Sequence, residues 1–167
     1  MIRFFITMVC FSIIFSSCSH TYYVVRHAEK AAADQMMSSD VPLTYQGKER
    51  AEALKDILKK KKITYVFSTN TIRTKSTAQP TADYFHLPVE IYGPRPDSAF
   101  IRLLNSKGKN TLIVGHSNTV DDVVNLLCKE RKVAGDLPDM QYDNLFIVKK
   151  KRGKIFFQQK KYGRPSE

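Results

Sequence analysis

Two of the chain's four histidines stand beside residues that could do chemistry with them. Arg26-His27-Ala28-Glu29-Lys30 follows directly on Thr21-Tyr-Tyr-Val-Val25, and His116-Ser117-Asn118 follows directly on Thr111-Leu-Ile-Val114 and Gly115. A further cation, Arg73, stands five residues past Ser68, which closes the run Thr64-Tyr-Val-Phe67. Taken singly, each is ordinary: a histidine after a strand is more often a loop or core residue than a catalyst, and an arginine is more often solvated surface. Taken together they suit an oxyanion or phosphate, which guanidiniums and imidazoles near helix N-termini bind through charge-assisted hydrogen bonds. Burying the four side by side without an anion would be electrostatically unfavourable.

Such a site needs elements that bring distant residues to one edge. The β-branched and aromatic runs at 21–25, 64–67, 89–92 and 111–114 read as strands. Helical spacing of Ala51, Leu54, Ile57 and Leu58 marks a helix from Thr44 to Lys61. A second helix, from Thr71 to Phe85, is expected to be interrupted at Pro80. Shorter helices are expected over 97–107 and 119–128, the last with Thr119 and Asp122 in capping-box positions. Asn144–Val148 and Lys154–Gln158 flank a basic turn containing Gly153 and read as a closing hairpin. Alternating strands and helices predict an α/β fold, a three-layer α/β/α sandwich with a mostly parallel central sheet and a C-terminal hairpin. Ligands of such sheets bind outside the carboxyl ends of the strands, where Arg26, His27, Arg73 and His116 all fall. Residues 31–41 read as a loop beside the first strand.

The blocks that carry these residues resemble a known family. Tyr23-Val-Val-Arg26-His27-Ala28-Glu29-Lys30, Leu43-Thr44 with Gly47, Arg50-Ala51 and Leu54, Ser68 with Arg73 and Thr77-Ala78, and Val114-Gly-His116-Ser-Asn-Thr119 resemble, in order, the histidine phosphatase (phosphoglycerate mutase-like) superfamily, in its small single-domain bacterial form. The resemblance implies that His27 is a nucleophile forming a phosphohistidine that water later hydrolyses. It implies that Arg26, Arg73 and His116 hold the phosphoryl group. Nearby guanidiniums would keep His27 neutral and able to attack. No metal or cofactor is implied, and no His/Cys cluster at metal spacing is present.

The chain has Ala28 and Lys30 where the common family version has Gly and Thr, a variant familiar among small bacterial members. The general acid is left between Asp97 and Glu90; Glu90 lies inside a predicted strand, and Asp97 serves equally as a helix N-cap. The expected activity is an exported, metal-independent phosphatase acting on a phosphorylated small molecule or phosphoprotein. A silent binder of phosphorylated ligands and, more distantly, a mutase are the alternatives. With little chain to spare for a roof, the site is expected to be open.

Composition sets the frame. The 167 residues carry 27 Lys and Arg against 16 Asp and Glu, a formal charge of +11, and 43% are hydrophobic, enough to bury a core. Residues 1–17 read as a signal peptide: a positive start, an apolar run from Phe4 to Phe15 too short to span a bilayer, then Ser16-Ser17. Cys18 stands where a bacterial lipobox carries its acylated cysteine, with Phe15 in the usual leucine position. The expectation is a membrane-anchored, periplasm-facing lipoprotein with one domain over 18–167, the alternatives a soluble exported protein and, third, an uncleaved interfacial anchor. Cys128 is left alone as a buried small hydrophobe, so no internal disulfide is expected. The lysine runs at 59–62 and 149–154 read as a solvated helix end and hairpin turn, with attraction to anionic lipid as their functional alternative. Nucleic acid is not an expected partner. Only Ser19 and His20 separate Cys18 from the first strand, so a lipid there would leave the catalytic edge facing away from the bilayer.

Overall fold

The computed structural model describes residues 19–32 and 40–166. Cys18, the expected signal peptide and most of the 31–41 loop lie outside these residues. The base of that loop is closed, since Ala31 N donates to Pro42 O and Lys30 bridges to Leu43.

Ten elements follow in order: β1 (Ser19–Arg26), α1 (Tyr45–Leu58), β2 (Tyr65–Ser68), α2 (Ile72–Phe85), β3 (Val89–Ile91), α3 (Ser98–Lys107), β4 (Thr111–Gly115), α4 (Val120–Cys128), β5 (Asn144–Lys151) and β6 (Lys154–Lys161). The strands form one sheet in the order β3-β2-β4-β1-β5-β6. Pairings from β3 through β1 are parallel, and β5 runs antiparallel to both β1 and β6.

Strand periodicity divides the core. Tyr22, Val24, Phe67 and Ile113 face α3 and α4. Their neighbours Tyr23, Val25, Val66, Leu112 and Val114 face α1 and α2. Both faces of the central strands are therefore apolar, as a helix-covered parallel sheet requires. Leu54, Leu104 and Leu127 are fully buried in these layers, and truncating any one to alanine removes about 2–5 kcal/mol. Cys128 is a free, buried member of the α4 side.

Three local expectations are corrected. Helix α2 runs through Pro80 without interruption. The lost N–H donor is tolerated because Thr77, Ala78, Thr81 and Ala82 stay buried on both sides of the proline. Strands β5 and β6 are longer than expected, and residues 149–151 lie in β5. The turn is only Arg152-Gly153, both at positive φ, matching the twist of a two-residue hairpin. Thr119 precedes α4 but makes no side-chain cap, for a reason given below.

Helices α1 and α2 pack on one face of the sheet, α3 and α4 on the other. Adjacent strands β1 and β4 thus send their chains to opposite faces, which opens a crevice at their carboxyl ends. Residues 27 and 116 stand at that crevice.

Candidate active site

His27 continues the edge of β1 by donating its backbone N–H to Gly115 O at 2.9 Å. Its side chain is 3% exposed, and Nδ1 lies 2.8 Å from Ala28 O. A carbonyl only accepts, so Nδ1 carries the proton and Nε2 keeps the lone pair. Burial above all pushes the His27 pKa down to about 3; the Ala28 carbonyl opposes this, and Arg26, Arg73 and His116 reinforce it. The ring is neutral at ordinary pH.

Arg26 ends β1 with its guanidinium buried against the segment before β5. Nη1 donates to Pro138 O and Asp139 O, both at 2.8 Å, and the group lies 4.4 Å from the centroid of the Tyr142 ring. Nη2 is 4.0 Å from the Asp139 carboxylate, while the buried Nε has no hydrogen-bond partner among the described residues. A buried donor without a partner is costly, and an anion would satisfy it.

Helix α2 delivers Arg73 in its first turn, capped by Thr71. Arg73 Nη1 is 3.6 Å from Asp40 Oδ1, and Nη2 is 3.4 Å from His116 Nδ1. A guanidinium only donates, so His116 Nδ1 accepts. Its Nε2 lies 2.8 Å from Thr69 Oγ1, whose own hydroxyl donates to Thr74 Oγ1 at 3.1 Å. Both contacts assign the same tautomer, with the proton on Nε2. Burial first, then Arg73 and Arg26, lower the His116 pKa to about 4, with Asp40 opposing.

The turn carrying His116 is tight. Thr119 Oγ1 accepts from His116 N at 3.1 Å, which is why it does not cap α4. Gly115 is required, because a Cβ there would stand 2.8 Å from Tyr92 Oη and 3.1 Å from Thr119 Oγ1. Thr77 ties the two halves together: its hydroxyl accepts from Ala28 N at 2.9 Å and donates to Arg73 O at 2.8 Å.

The structure thus gathers all four expected side chains. The His27 and His116 rings are 5.6 Å apart, and with Arg26 and Arg73 they line a cavity of about 1050 Å³. Asp97 lies on its wall, exposed, while its carboxylate caps α3 by accepting from Phe100 N at 2.8 Å. Glu90 does not line the cavity and is paired with Lys107 at 3.6 Å. Sequence reasoning missed Asp136, Asp139 and Tyr142, which line the cavity from an irregular segment with no motif or periodicity. It also missed Thr69 and Asp40, whose roles depend on contacts distant in sequence. Glu29 is turned away from the cavity by Arg50, which binds it at 2.6 Å and also donates to Tyr162 O and Arg164 O. Among the described residues, no group of three or more His, Cys, Asp or Glu could hold a metal ion.

Comparisons with known proteins bear on this arrangement. Residues 22–93 match the family model of the histidine phosphatase superfamily, branch 1. No curated protein sequence matches the chain. Among solved structures, the protein histidine phosphatase SixA complexed with tungstate superposes with a TM-score of 0.65 at 24% identity, covering 84% of this chain and 96% of SixA. A mycobacterial glucosyl-3-phosphoglycerate phosphatase gives 0.63 at 13% identity, covering 86% and 98% of the two chains. Phosphoglycerate mutase from Bacillus anthracis gives 0.60 at 15% identity, covering 85% and 92%.

Proposed function

The chain has the histidine phosphatase superfamily fold, and from that premise we propose that it is a phosphatase that hydrolyses phosphate monoesters or phosphorylated residues through a phosphohistidine on His27. The observation that carries this reading is the neutral, buried His27, its Nδ1 proton held by Ala28 O and its Nε2 lone pair available beside two guanidiniums and a second imidazole. A site built only to hold an anion has no need of a nucleophile.

In the first step Nε2 attacks phosphorus, a nitrogen–phosphorus bond forms, and the bond to the leaving oxygen or nitrogen breaks. Arg26, Arg73 and His116 meet the charge on the equatorial oxygens of the transferring group. Arg26 offers its unpaired Nε for this. An arriving dianion favours the protonated form of His116, which then donates from Nδ1. Asp97, the better placed of the two carboxylates expected from sequence, supplies the proton to the leaving group from the cavity wall. Water then attacks phosphorus and gives its proton to the Asp97 carboxylate, the nitrogen–phosphorus bond to Nε2 breaks, and orthophosphate leaves with His27 restored. This chemistry uses no metal or cofactor. The open cavity admits a phosphoprotein side chain as well as a small phosphorylated molecule, and SixA, of like fold, is a protein histidine phosphatase.

The same proposal includes export: residues 1–17 act as a removable signal, and Cys18 is acylated to anchor the catalytic region 18–167 on the periplasmic side of a bacterial membrane. Labelling of the expressed chain with a radioactive fatty acid, absent in Cys18→Ser, checks that part. For the chemistry, wild type and His27→Ala are assayed with p-nitrophenyl phosphate and phospho-amino acids in the presence of a chelator. Turnover by wild type alone supports the phosphatase; saturable binding of the phosphate esters without turnover establishes a silent binder instead.

A further inference from the structure

The end of the molecule opposite the cavity is strongly basic, and its function is not explained by phosphoryl transfer. In this topology the amino ends of β1–β4 and the carboxyl ends of α1–α4 lie together. The chain places a cation-rich stretch at this end on four occasions, at residues 59–62, 107–109, 129–132 and 149–154. Together they hold fourteen of the 27 Lys and Arg in the chain and one carboxylate, Glu130, which pairs with Lys132 at 2.8 Å.

Specific contacts bring the stretches side by side. Asn110 donates to Lys61 O and accepts from Thr21 N, joining the end of α1 to the starts of β4 and β1. Lys150 Nζ binds Asn105 Oδ1 at 2.7 Å, joining the hairpin to the end of α3. Lys129 lies near enough to Lys150 to lower its pKa, though burial lowers it more. All but Lys107 and Lys150 of the fourteen cations are exposed. Helix C-termini account for little of this charge: four of them carry about −0.5 each, roughly −2 in all. Three of the cations meet carboxylates, Lys59 with Asp56 at 3.3 Å, Lys107 with Glu90 at 3.6 Å and Lys132 with Glu130, and the other eleven have no ion pair among the described residues.

We propose that this basic end docks on the anionic headgroups of a lipid bilayer. The placement of the chain entry favours lipid over other polyanions. Ser19 pairs with Lys151 in the sheet, so the apolar group that precedes it, the run Phe4–Phe15 before cleavage or an acylated Cys18 after it, joins the domain within the basic end. An apolar segment and a basic surface at one point suit a bilayer, whose headgroups and hydrocarbon take one each. Arg26 lies seven residues after Ser19 along β1, so the phosphate-binding groups are held roughly 23 Å from the docked end, facing bulk solvent. The choice of lipid rests on the apolar group that precedes Ser19, and the inference does not rest on the proposed activity.

Both core clusters draw only on residues from Tyr22 to Tyr162, so a chain beginning at Ser19 retains them and isolates the basic end from the apolar run. That chain is sedimented with phosphatidylcholine vesicles, with or without 3 parts in 10 (roughly) phosphatidylglycerol, at low and high salt. Each cation at an anionic surface strengthens attachment about fivefold. Wild type is expected to bind only the anionic vesicles and to be released by salt. The variant Lys60→Glu, Lys61→Glu, Lys151→Glu, Lys154→Glu is expected to lose about two orders of magnitude or more in partitioning. A control of equal net charge, Lys48→Glu, Lys75→Glu, Arg102→Glu, Lys160→Glu, is expected to retain most of it. Circular dichroism of both variants verifies folding. Failure of wild type to bind anionic vesicles, or equal losses in the two variants, overturns the proposal. So does tighter binding to duplex DNA than to the vesicles at matched salt, which would assign the surface to nucleic acid.

Discussion

Acidification from pH 7 to pH 5 tests the two buried histidines together. In the folded chain burial above all holds His27 down to about 3 and His116 to about 4. Unfolded, both titrate near the ordinary value of about 6.5. Between these values the unfolded chain binds more protons than the folded chain, so stability falls as the pH falls. Integrated from pH 7 to pH 5, a histidine that protonates only when unfolded costs about 1.9 kcal/mol. His27 is 3% exposed and carries nearly all of that. His116 is half-buried, so solvent screening reduces its share and the pair costs about 3 kcal/mol. For a domain with about 5–15 kcal/mol in total, this lowers Tm by roughly 6–12 °C. Asp143, whose carboxyl pKa the Lys161 ammonium and Ser166 pull down against an opposing effect of burial, loses its contribution only below the ordinary carboxylate range, outside this window. Urea unfolding of wild type and His27→Asn at pH 7, 6 and 5 isolates the effect. The variant should lose about 2 kcal/mol less than wild type over the interval, and saturating orthophosphate should restore part of the wild-type loss. Parallel curves for the two proteins would refute the reasoning.

Other perturbations reach different parts of the account. Arg50→Ala leaves Glu29 and two backbone carbonyls without their donor and should cost about 3–5 kcal/mol by calorimetry, with little recovery in Arg50→Lys because an ammonium cannot form the same fork. Gly115→Ala pushes a methyl group against Tyr92 Oη and Thr119 Oγ1, so turnover should fall by about tenfold or more as the His116 turn shifts, while the melting temperature moves little by comparison. In steady-state assays corrected for ionisation of the substrate, kcat/KM should hold down to pH 5. There His27 is about 99% neutral, against about 3% for an ordinary histidine. An acid limb near 6.5 would contradict the buried-histidine geometry.

The fold was largely legible because its strands and helices carry strong periods, and because the chemistry-bearing residues directly follow strand ends. Arg26, His27, Arg73 and His116 could be placed at one edge from topology alone. Their fine positioning could not. Thr69 meets His116 across 47 residues, and Thr77 meets Ala28 across 49, contacts that no local pattern announces. Thr119 looked like a helix cap from its spacing, but its hydroxyl accepts from the backbone N–H of His116. Pro80 looked like an interruption, yet tertiary burial of α2 outweighed local propensity. The wall formed by Asp136, Asp139 and Tyr142 belongs to irregular chain, where sequence periodicity carries no signal. The charge of +11 also gained a location, since just over half of the chain's cations stand at the end farthest from Arg26 and Arg73.

The phosphoenzyme is the most direct test of the central claim. The chain is mixed briefly with a phosphoryl donor radiolabelled at phosphorus, quenched in alkali and digested, and the labelled peptide is identified by mass spectrometry. The account predicts one acid-labile, alkali-stable label on His27, absent in His27→Ala and still formed in Asp97→Asn. Turnover without any label on His27, or an undiminished label in His27→Ala, would contradict it.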